Sequence, residues 1–77
     1  MSHVERASQA AMMRQPWAED AAKAMRCHPD RYEHLPADQR GHLDTIYALF
    51  LLQTETPSVT VHTELLLEVQ RFMQGMR

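Results

Sequence analysis

Residues able to do chemistry are densest in Arg26–His42, RCHPDRYEHLPADQRGH, which holds the single cysteine and three of the five histidines. Cys27, His28, His34 and His42 are all metal-ligand types. Structural zinc sites, however, use ligands in close pairs, Cys with Cys about two to four residues on and His with His about three to five. Here Cys27 and His28 are adjacent, five residues separate His28 from His34, and seven separate His34 from His42. Neighbouring side chains on a helix diverge by about 100°, so Cys27 and His28 do not readily aim at one ion. A simpler reading fits better. Pro29 and Pro36 define a connection, His28 and His34 are polar loop residues, and Cys27 is a small buried hydrophobe. The expectation is a chain without a metal or other cofactor.

The same residues make a poor catalytic set. A cysteine nucleophile needs a base within hydrogen-bond reach and a third group to orient it. Adjacent positions at a helix end rarely offer that, although Asp30 and Glu33 could orient a histidine. The chain has no glycine-rich phosphate loop, no HExxH and no GxSxG. A non-enzymatic protein is expected.

Charge argues against nucleic acid as a partner. The formal net charge is −2 and the pI is near 6.2. Arg26, Arg31 and Arg40 surround the turns, but Asp30, Glu33, Asp38 and Asp44 interleave with them. Such a surface neutralises few phosphates, and phosphate contacts supply most non-specific affinity. A small metal- or DNA-binding regulator centred on residues 26–42 stays the alternative. The longest apolar run, Ile46–Leu52, is far short of the roughly 20 residues needed to cross a bilayer. The first ten residues have no apolar core of the signal-peptide kind, and a lone cysteine suits a reducing compartment. Together these predict a soluble cytoplasmic protein. Seven arginines against one lysine, with nine alanines, fit a GC-rich bacterial or phage genome.

The elements that carry these residues read as helices throughout. Seventy-seven residues make one domain, and its dominant residues are good helix formers. Ser2 and Glu5 have capping-box spacing, which starts a helix over about 3–14 on Val4, Ala7, Ala11 and Met12 or Met13. Its apolar stripe is thin, so residues 1–15 are expected to be more mobile than the rest. Pro16 removes a backbone donor and suits the first position of a new helix. The sequence therefore predicts a break, or at least a kink, followed by a helix over 16–27. Its face is expected on Trp17, Ala21, Ala24 and Met25, with Ala18 and Ala22 beside it. Pro29 disfavours α geometry at His28, and PDRYEH can add one turn.

A third helix is predicted over 36–54, with Asp38 in its first turn. Leu43, Ile46, Tyr47, Leu49, Phe50, Leu51 and Leu52 cover nearly its whole circumference, which marks a helix buried on several sides. A last helix is predicted over 57–75, capped by Thr56 and opened by Pro57. Leu65, Val69, Phe72 and Met76 give the clearest helical period in the chain, widened by Leu66 and Met73. SVTVHT alternates like a strand that two copies could pair, as a less favoured alternative.

The predicted fold is all-α, a small bundle of three to four short helices. The third and fourth helices carry more apolar surface than two alanine-rich helices can cover. Small domains without disulfides often rely on a partner, and twofold dimers are the commonest oligomers. The expected function is therefore a protein-interaction module: a regulator, inhibitor or adaptor. It would pair with itself and with another protein through Ile46, Tyr47, Phe50, Leu51, Leu65, Val69, Phe72 and Met73. Six methionines add adaptable apolar surface to the helices.

Overall fold

A computed structural model describes the backbone of residues 3–75 and the side chains of residues 9–75. The described chain is all-helical. Three α-helices, α1 (His3–Cys27), α2 (Ala37–Glu55) and α3 (Val59–Gln74), are joined by a single 3₁₀ turn at Pro29–Tyr32 and a short link at residues 56–58. Every pair of helices packs together. Where α1 meets α2, Lys23 lies over Phe50 and Arg26 over Tyr47, so the two helices run in opposite directions. The same holds for α2 and α3, where Gln39 meets Phe72 and His42 meets Glu68.

The predicted break at Pro16 is not there: α1 is one helix through it. A proline inside a helix forfeits one backbone hydrogen bond and crowds the carbonyl four residues back, at a cost of about 3 kcal/mol. Pro16 lies on the exposed side of α1, where water can serve the freed carbonyl of Met12. Alanines on the opposite side are fully buried both before it, at Ala11, and after it, at Ala18 and Ala22. Packing thus holds both halves in one continuous helix. Ser2, Met76 and the side chains of Val4, Glu5 and Ala7, used in reading the sequence, lie outside the described residues.

The buried face of α1 also differs from the expected one. Ala18, Ala22 and Met25 are buried, Ala21 and Ala24 are half-buried, and Trp17 is 42% exposed. Small side chains let the backbone of α1 approach its neighbours closely, and the bulky indole is displaced to the flank. Leu43 and Ile46 from α2, and Leu65, Val69 and Phe72 from α3, complete the core. Each large aliphatic side chain removed from water there contributes roughly 1.5–3 kcal/mol.

The ends of α2 and α3 are set locally. Pro57 disfavours helical geometry at Thr56, which adopts φ −136° and ψ 76° while its N–H caps the Leu52 carbonyl. Ser58, not Thr56, is the N-cap of α3: its hydroxyl accepts from the Val61 N–H at 3.0 Å. SVTVHT is therefore the cap and first turn of a helix rather than a strand. The core stripe that begins at Leu65 overrides its β-branched composition.

Candidate functional site

On one flank of α1 an open groove of about 400 Å³ runs between the helix, the 3₁₀ turn and the start of the link to α2. Its floor is built from Ala21, Ala24 and Leu43, and its walls from Trp17, Tyr32, Leu35 and Phe72. Asp20 and His34 are its polar lining. The Trp17 and Phe72 rings stack with centroids 5.8 Å apart and planes 30° apart. Phe72 is anchored in the core while Trp17 keeps much of its surface in water. Two prolines create the other wall. Pro29 ends α1 and starts the turn that carries Tyr32, and Leu35 donates its N–H to the Tyr32 carbonyl at 3.1 Å before Pro36 leads into α2. An apolar concavity with a few polar groups is the usual form of a binding site. Exposed tryptophan, tyrosine and methionine are enriched where proteins meet. Met13, one turn before Trp17, is 82% exposed and extends this apolar flank.

The residues picked out by metal chemistry are dispersed. Cys27 is exposed at the end of α1 rather than buried as expected, and His28 and His34 are exposed. Among the described residues, no group of three or more His, Cys, Asp or Glu side chains is placed to hold a metal ion. His42 instead makes an interhelical contact, its Nδ1 lying 2.8 Å from Glu68 Oε2. The other carboxylate oxygen of Glu68 accepts from Arg71 Nη1 at 2.8 Å. Burial on its own raises the pKa of the Glu68 carboxyl. The hydrogen bonds from Arg71 and His42, and their charge, outweigh it and hold the group below its ordinary value. This arrangement ties α2 to α3.

The eight expected interface residues divide into three groups. Ile46, Leu65, Val69 and Phe72 are consumed inside the chain, where α1 covers what was assigned to a partner. Tyr47, Phe50 and Met73 are half-buried, and the first two carry the Arg26 and Lys23 side chains on their rings. Only Leu51 is well exposed, at 42%, and its neighbour Leu52 is similarly open on the outer side of α2. The helix that looked apolar all round thus keeps two of its leucines in water.

The groove has no signature in the sequence. Trp17 was legible as an important residue, but Tyr32 and Leu35 fall in a proline-flanked connection with no periodic signal. Gln39 is equally silent in the sequence, yet its Nε2 donates to the Phe72 carbonyl at 3.0 Å near the end of α3.

Among the described residues, no helix is long and apolar enough to cross a membrane. Comparison with known protein families, with curated proteins and with solved structures returned no match.

Proposed function

We propose that the chain is a non-enzymatic protein-interaction module, a small regulator, inhibitor or adaptor that acts by occupying a surface on another protein. The observation that carries this reading is the groove beside Trp17. It is open, apolar and walled by three aromatic rings, one of them half in water. Covering such surface with a partner removes apolar area from water, and a tryptophan at the centre of a contact is a common energetic anchor.

Leu51 and Leu52 support a second contact, with another copy of the chain. They stand with Ala48 on the outer side of α2, away from α1 and α3. A twofold dimer through this face would leave the groove free for the partner protein.

The test is affinity capture from the producing cells with two baits side by side. Ala24→Arg fills the groove floor with a long charged side chain and removes no core group. A partner retained by the unaltered chain and lost by Ala24→Arg supports the reading. A partner retained equally by both contradicts it.

A further inference from the structure

The charge and aromatic content of the groove specify its partner further than "apolar". We infer that it receives a protein segment combining an apolar anchor with a neighbouring lysine or arginine. This rests on the reading of the groove as a docking site and adds the chemistry of the occupant. Asp20 is the one carboxylate lining the groove. It is exposed and makes no ion pair among the described residues. Asp44 faces Arg26 and Glu68 faces Arg71, whereas Asp20, like several other exposed carboxylates on the helices, faces none among the described residues; what sets it apart is its place in an apolar groove.

The aromatic rings on the two flanks of α1 differ. On the α2 side of α1, Lys23 Nζ lies 4.3 Å from the centre of the Phe50 ring, and the Arg26 guanidinium lies 5.0 Å from that of Tyr47. On the groove side, among the described residues, no cation lies over Trp17 or Tyr32. Tryptophan presents the most favourable ring face to a cation, and attraction rises as the pair leaves water. One flank of α1 therefore supplies its own cations, while the other presents ring faces and a carboxylate without one. Between them Ala21 and Ala24 offer nothing beyond a methyl group, so an anchor can reach the helix backbone. An occupant with an aliphatic or aromatic side chain on this floor and a cation one helical turn away would face Asp20 and Trp17 together.

Two small probes of similar size and opposite charge test the inference: 2-phenylethylammonium and 3-phenylpropionate, titrated into the isotope-labelled chain at pH 8. The reporters are the NMR signals of the Trp17 indole N–H and the Ala21 and Ala24 methyl groups. Both probes should shift these signals. The ammonium should half-saturate them at a concentration roughly two- to fivefold lower, the range expected of a partly solvated ion pair. Asp20→Asn should abolish that preference and leave the shifts themselves in place. Equal half-saturation by both probes, or tighter binding of the carboxylate, would overturn the cation preference while the groove survives as an apolar site. No shift at the three reporters from either probe at millimolar concentration would overturn the groove as a docking site altogether.

Discussion

The Trp17 indole lies against the Phe72 ring, 5.8 Å between centroids, and so joins the middle of α1 to the last turns of α3. Phe72 is all but buried, and Trp17 is a wall of the groove. This wall of the groove thus rests on the core.

This contact gives the first prediction. Trp17→Ala should cost about 1–2 kcal/mol in urea-induced unfolding, below the 3–5 kcal/mol of a fully buried aromatic truncation, because nearly half of the indole is already in water. A loss beyond about 4 kcal/mol would show that the indole is a core group, since that is the cost of emptying a closed site.

The two glycines should respond in opposite ways to alanine. A Cβ at Gly75 would run into the side-chain amide of buried Gln39, whereas one at Gly41 would meet nothing. Gly75→Ala should push the Gln39 amide off the Phe72 carbonyl and destabilise by about 0.5–1.5 kcal/mol, the net worth of that hydrogen bond. Gly41→Ala lies within α2 and should stabilise by roughly 0.5–1 kcal/mol, because alanine is the better helix residue. Thermal melts of the two variants check both signs, and a stabilising Gly75→Ala would contradict the packing of Gln39 beneath it.

Glu68 predicts an acid limb. Its carboxyl is held below the ordinary value by Arg71 and His42 against the opposing effect of burial. A group depressed in the folded state contributes stability that is fully present above its unfolded pKa. That stability is lost as pH falls through the lower folded value. Stability should therefore decline as pH falls from about 4.3, the usual unfolded value for glutamate, through the lowered value in the fold. Glu68→Gln should be less stable at neutral pH and show a shallower acid limb in pH-dependent denaturation. An unchanged acid limb would remove Glu68 from its cause.

Leu51 tests the self-association. Light scattering should report a dimer for the unaltered chain at micromolar concentration and a monomer for Leu51→Glu. Because Leu51 is on the outer side of α2, circular dichroism should show the helices intact. A monomeric unaltered chain, with a melting temperature independent of concentration, would rule the dimer out.

Much of this architecture is legible in the residues. In α3 the stripe Leu65, Val69 and Phe72 recurs at helical spacing, and all three are core. Pro29, Pro36 and Pro57 each mark a boundary, since proline restricts the residue before it. Pro16 does not, because flanking alanines bury both halves of one helix. Alanine gives almost no hydrophobic signal, so the large Trp17 drew the expected face of α1 away from Ala18 and Ala22. Leu51 and Leu52 illustrate the reverse limit: apolar residues around a helix do not say which are covered. His42 and Glu68 stand 26 positions apart on different helices, and no local pattern foretells such a pair. The groove was hidden for the same reason, assembled from α1, a turn, α2 and α3.

The most direct measurement of the central claim is site-specific photocrosslinking in the producing cells. A benzoylphenylalanine placed at His34, an exposed groove residue, is compared with one at Leu67, exposed on the outer side of α3. A discrete crosslinked protein should form from position 34, be absent from position 67 and be lost when Ala24→Arg is added. A crosslink to the same protein from position 67 but not from position 34 would contradict the claim, and would place the binding surface on the opposite face of the bundle.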